Sequence, residues 1–143
     1  ALANLKTTYD FIVIDCPPSL GILSLNALVV STNVIVPIQC EFFAMEAVAS
    51  MLSTINRVQK NYNPSLKIEG FLMTMYDAKT SMSNEVVGQI RSLFDENTFV
   101  TMIPRNVSPP EASFHGQSVI DYRPSSSGAA AYLSLAREVL ENE

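Results

Sequence analysis

Asp15 closes a run of four apolar residues, Phe11-Ile12-Val13-Ile14, and Cys16-Pro17-Pro18-Ser19 follows it. A carboxylate at the end of a buried strand stands at the lip of a sheet. There it can hold a nucleotide-bound magnesium ion, directly or through water. The pattern alone serves a turn or helix-capping aspartate equally well. His115 is the single histidine, so no histidine cluster can bind a metal, and a loop or capping role is the simpler reading. Cys16 and Cys40 make neither a CxxC pair nor a disulfide framework, and read as small buried or half-buried reduced thiols. Ser125-Ser126-Ser127-Gly128 can hold phosphate at a helix start or simply cap it. Phe42-Phe43-Ala44-Met45 reads as core, and Lys79 by itself as a solvated loop charge.

These residues need elements to position them. Phe11-Ile12-Val13-Ile14 reads as a strand buried on both faces, as in a parallel sheet. Val34-Ile35-Val36-Pro37-Ile38, Phe71-Leu72-Met73-Thr74-Met75 and Phe99-Val100-Thr101-Met102-Ile103 are three more such runs. Helical spacing fills the gaps over 44–62, over 83–94 with Ser83-Asn84 as cap, and over 126–140. The stretch 20–30 is apolar almost all round and reads as a covered helix. Ser108-Pro109-Pro110 and 124–127 read as loops. Strands alternating with helices imply right-handed crossovers onto a parallel sheet, with ligands beyond the carboxyl ends of the strands.

Composition bounds the answer. The 143 residues suit one domain. At 48% hydrophobic and 16% charged, with mean hydropathy +0.19, the chain is not disordered. No apolar run approaches the roughly 18–20 residues of a membrane span, and the first residues lack the basic start and apolar stretch of a signal peptide. Those features predict a cytoplasmic chain. A net charge of −5 supplies no bulk drive onto nucleic acid, while leaving room for a local basic patch.

The wider stretch Tyr9 to Gly21 (YDFIVIDCPPSLG) resembles the Walker B and switch segment of the ParA/MinD family of deviant-Walker ATPases, nearest to partitioning ParA. The resemblance continues through Val36-Pro37-Ile38-Gln39-Cys40-Glu41, Glu69-Gly70, Thr74-Met75-Tyr76-Asp77, Ile103-Pro104-Arg105-Asn106-Val107, Glu111-Ala112, His115-Gly116 and Gly128-Ala129-Ala130-Ala131-Tyr132. It implies a three-layer α-β-α fold with a mainly parallel sheet, P-loop NTPase-like but incomplete. It implies that Asp15 positions Mg²⁺ through water. Pro17, Pro18 and Gly21 would belong to the segment that senses the γ-phosphate in a nucleotide sandwich dimer. Asp77 would sit near the adenine, Pro104, Arg105 and Asn106 would pack on the base, and Lys79 would contact DNA nonspecifically. ATP, a homodimer and a ParB-like activating partner come with the resemblance.

The departures from the family pattern are as informative. The five glycines (Gly21, Gly70, Gly88, Gly116 and Gly128) are isolated, and no Gly-Lys-Ser/Thr occurs. A triphosphate needs a cradle of backbone N–H groups and a lysine beside its β- and γ-phosphates. Residues 1–143 are therefore expected to form the C-terminal portion of a ParA-like ATPase domain acting in chromosome or plasmid partitioning. Alone, the chain is expected to bind no nucleotide tightly and to hydrolyse none. Ser108 stands where an arginine is more typical, which predicts weak DNA affinity. The alternative is a non-catalytic ParA-like interaction module. A receiver-like domain would need acids at the first strand and a lysine after Met102-Ile103, and has neither.

Overall fold

The computed structural model describes residues 4–17, 19 and 21–142. After a 3-10 turn at Leu5–Thr7 come α1 (Ile22–Val30), β1 (Asn33–Gln39), α2 (Ala44–Asn61), β2 (Lys67–Thr74) and α3 (Ser81–Phe94). A second 3-10 turn, Asp95–Asn97, precedes α4 (Ser108–Phe114), α5 (Val119–Tyr122) and α6 (Ser127–Glu141). The order is that of an α/β protein with a parallel sheet. β1 and β2 pair in parallel, and the register skips Glu69 of β2 between Val34 and Ile35. Asn33 of β1 donates its side-chain amide to the Glu69 carboxylate there.

The sheet alternates its side chains between two layers. Phe71 and Met73 face the larger core, together with Val36 and Ile38 of β1, Ile55 of α2 and Ile90 of α3. Leu72 faces the other way, into a smaller core with Phe99, Ile103 and the inner face of α6. Helices α1 to α3 thus cover one face, and α6 covers the other beneath β2.

Residues 98–105 lie beside β2 as a third, broken strand. Parallel bridges join Thr98 to Phe71 and Pro104 to Tyr76. The Phe99 and Ile103 N–H groups donate to the Phe71 and Met73 carbonyls at 3.1 and 2.8 Å. Between them the chain leaves the ladder, and the Val100 and Thr101 N–H groups donate to the Glu138 carboxylate of α6. Tertiary contact with α6 is why the expected continuous strand over 99–103 is interrupted.

Residues 11–14 are not a buried strand. They make no ladder among the described residues, and Val13 is 90% exposed. An apolar run becomes a sheet strand only where a neighbour can pair with it. Helix α1 is likewise not covered: Ile22, Leu23 and Val30 are exposed, and only Ser24, Ala27 and Leu28 are buried. Its anchor is at its far end, where Asn63 Nδ2 donates to the Leu28 and Ser31 carbonyls at 3.0 and 2.7 Å. Phe42 and Phe43 are exposed rather than core, as is the Cys16 thiol. Cys40 is buried, and burial pushes its thiol pKa up.

Two local expectations also change. Thr80, not Ser83, caps α3, accepting the Ser83 N–H at 3.3 Å. Ser108-Pro109-Pro110 opens α4 instead of forming a loop, because proline is tolerated in a first helical turn whose N–H groups have no intrahelical partner. Ser126 caps α6 through the Ala129 N–H at 3.1 Å, in line with a capping role for that serine run.

Candidate functional site

Three loops leave the sheet at its carboxyl edge: 40–43 after β1, 75–80 after β2, and 104–107 after the broken third strand. A parallel sheet brings such loops together whatever their separation in sequence. Glu41, Asp77 and Arg105, the last 64 positions from the first, line one shallow cleft of about 340 Å³ together with Phe42, Thr80 and Met82. The Arg105 guanidinium spans it, donating to Glu41 Oε1 at 2.9 Å. Both side chains are about half exposed, so the pair contributes little to stability and remains accessible to a ligand.

Each expected base-side residue has a definite place. The Asp77 carboxylate shapes its own loop, accepting the Lys79 N–H at 3.0 Å, which is the aspartate turn chemistry of a short connection. Its backbone carbonyl accepts the Thr80 hydroxyl at 3.1 Å. Met75, two residues earlier, has φ +53°, a left-handed conformation that costs a non-glycine residue roughly 1–2 kcal/mol. That turn aims Tyr76 and Asp77 at the third loop: Tyr76 N–H donates to Ile103 C=O at 3.1 Å and Arg105 N–H to Tyr76 C=O at 2.9 Å. Pro104 sits in the bridge itself. Asn106 turns away from the cleft, toward α4 and α6. Lys79 is exposed on the same rim.

The residues expected on the phosphate side are not gathered with them. Asp15 is exposed in the coil after residues 11–14, and no described hydrogen bond or ion pair joins it to the cleft. Pro17 is exposed. Ser24 Oγ of α1 donates to the Ser19 carbonyl at 2.6 Å and reaches the Pro17 carbonyl at 3.4 Å. Pro18 lies outside the described residues. Among the described residues no three His, Cys, Asp or Glu side chains assemble into a cation site. The donor set around Asp15 therefore does not by itself fit a resident magnesium ion, whereas the cleft is an open, shallow depression lined by both charged and apolar side chains.

Some of this was hidden in the sequence. Glu41 belongs to a recognisable motif, but its pairing with Arg105 depends on sheet order. Ser127 shows no signal beyond a run of serines. His115 is stacked on Tyr122, with ring centroids 5.2 Å apart, and is not among the residues lining the cleft. Glu111 Oε2 lies 3.3 Å from Arg123 Nη2 without hydrogen-bond geometry, so that pair is a loose one.

Known proteins resemble this chain in sequence and fold. A family model described as an AAA domain matches residues 1–68. The sporulation initiation inhibitor protein Soj of Bacillus subtilis (strain 168) is 47% identical over 142 residues, 99% of this chain and 56% of that protein. The chromosome partitioning protein ParA of Myxococcus xanthus (strain DK1622) is 41% identical over 143 residues, 100% of this chain and 50% of that protein. Among solved structures, a Mycobacterium smegmatis cobyrinic acid a,c-diamide synthase with bound ADP and magnesium superposes with TM-score 0.77. It is 38% identical, over 98% of this chain and 50% of that one. The chain spans about half the length of the curated relatives it matches. With the parallel sheet, the loop cluster and these identities together, the chain belongs to the ParA/MinD family of P-loop ATPases.

Proposed function

We propose that this chain supplies the base-side wall of the nucleotide site in a ParA-like chromosome-partitioning ATPase. The observation that carries the reading is the meeting of Glu41, Asp77 and Arg105 in one cleft at the carboxyl edge of the sheet. The names of the relatives supply the biological setting: Soj and ParA, the latter named for chromosome partitioning. In this reading Asp77, Pro104 and Arg105 border the base. Asp15 is assigned to magnesium through water, and Pro17 and Pro18 to the γ-phosphate sensor, in a whole domain that also contains a phosphate-binding loop. A homodimer, a ParB-like activator and weak DNA contact through Lys79 belong to that whole domain too.

Titration of a fluescent ADP analogue into the chain tests the assignment. The expected affinity is weak, about 1 mM, insensitive to magnesium and to Asp15→Ala, and reduced by Arg105→Ala. Magnesium-dependent phosphate release that Asp15→Ala abolishes contradicts it. A second reading, a non-catalytic interaction module, is favoured by Phe42 and Phe43. They form an exposed edge-to-face pair 5.1 Å apart beside the cleft. Complete absence of nucleotide binding selects that reading.

A further inference from the structure

The loop that ends the broken third strand carries an asparagine whose side chain is engaged at both ends. Asn106 Nδ2 donates to Ser127 Oγ at 2.7 Å, on the first residue of α6. Its Oδ1 accepts the Ser108 N–H at 2.7 Å, at the first residue of α4. One side chain thus ties the loop to two helix starts. The junction is close-packed: a Cβ built on Gly128 would meet Pro109 Cγ at 3.3 Å and Asn106 Cγ at 3.5 Å. The preceding residue, Arg105, is fixed from the opposite side by its N–H on Tyr76 C=O and its guanidinium on Glu41.

An amide that reads a base must present its carbonyl and amino groups together toward that base. Turning the Asn106 amide toward the cleft would break both existing bonds and leave the Ser108 N–H, on a buried residue, without this partner. We propose that Asn106 is a positioning residue and not a base reader. It pins the 104–106 loop to α4 and α6, and so sets where Pro104 and Arg105 stand. This rests on the nucleotide reading above, and it replaces the expectation, drawn from the family resemblance, that Asn106 packs on the base.

Amide hydrogen exchange by NMR on the whole chain tests the pin without any ligand. Asn106→Ala and Ser127→Ala are each expected to speed exchange of the Arg105 amide about fivefold, relative to the Ile90 amide as a monitor of global opening. The double variant should do no more than either single one. Ser127→Thr, which keeps the hydroxyl, should leave the Arg105 amide at its original rate. In a second arm, fluorescent ADP and GDP analogues should lose affinity by the same factor in Asn106→Ala, with Ser127→Ala reproducing it. Unchanged Arg105 exchange in Asn106→Ala overturns the proposal. So does a change in the ADP-to-GDP ratio that Ser127→Ala does not share. If neither nucleotide binds, the nucleotide reading fails while the exchange arm still decides whether Asn106 pins the loop.

Discussion

Residues 11–14 and residues 71–74 have similar apolar character and opposite fates. In β2, Phe71, Leu72 and Met73 are buried, with β1 on one side, residues 98–105 on the other, and helices on both faces. Residues 11–14 have no strand partner among the described residues, and Val13 is almost wholly exposed. Strand character is therefore a property of the neighbourhood, and composition sets only the capacity for it. The same contrast runs through the helices. Helix α3 buries Val86 and Ile90, while α1 leaves Ile22, Leu23 and Val30 outside.

β1 marks the border between the two regions. The Thr32 carbonyl and Cys40 N–H point toward β2. By alternation, residues 33, 35, 37 and 39 then point to the other edge, which has no described partner. Pro37 lacks an N–H, and on that edge the lack breaks no bond with β2. A seven-residue open edge beside exposed apolar side chains is a surface prone to pairing.

The largest expected effect separates the regions by stability. Ile90 is fully buried, and Ile90→Ala should cost about 3 kcal/mol, whereas Val13→Ala should cost less than about 0.5 kcal/mol. Urea midpoints of the two variants measure the difference, and equal losses would erase the comparison. Next comes Gly70→Ala. A Cβ there would lie 2.7 Å from Phe99 Cε2, against one edge of a ring that is itself buried. A cost of about 2 kcal/mol is expected in thermal unfolding.

Glu138→Gln is smaller, about 1 kcal/mol at neutral pH, and it sharpens the account of the third strand. Partial burial works against ionisation of Glu138, but hydrogen bonds from Thr101 and Val100 outweigh it and hold the carboxyl below its ordinary value of 4.5. A lowered folded-state pKa contributes stability that is present above 4.5 and is lost as pH falls through the folded value. The Gln variant should therefore lose part of the acid dependence of unfolding that the parent shows between neutral and strongly acidic pH. Smallest in stability is the pair Val13→Asp with Ile22→Ser. It should leave the urea midpoint nearly unchanged while reducing self-association in light scattering. Undiminished association would locate the sticky surface elsewhere.

Much of the fold was legible because its signals are local. The helical spacing over 44–62 corresponds to α2, the run at 34–38 lies within β1, and the run at 71–75 overlaps only the second half of β2, whose start at Lys67 it misses. The cleft was legible in part: Asp77 and Arg105 were singled out and do line it. What escaped depends on distant partners. Glu138 interrupts the third strand from 38 residues away. Ser127 engages Asn106 across 21 positions. The exposure of 11–14 depends on which strands stand next to it, which no local pattern records.

Hydrogen exchange resolved by peptide, at a concentration where scattering shows a monomer, tests the central contrast most directly. The account predicts that residues 67–74 exchange only through global unfolding, and that residues 11–17 exchange within the shortest labelling time. Protection of 11–14 equal to that of 67–74 would show that this run is paired within the chain, and would contradict the division of the molecule into a packed region and an unpartnered one.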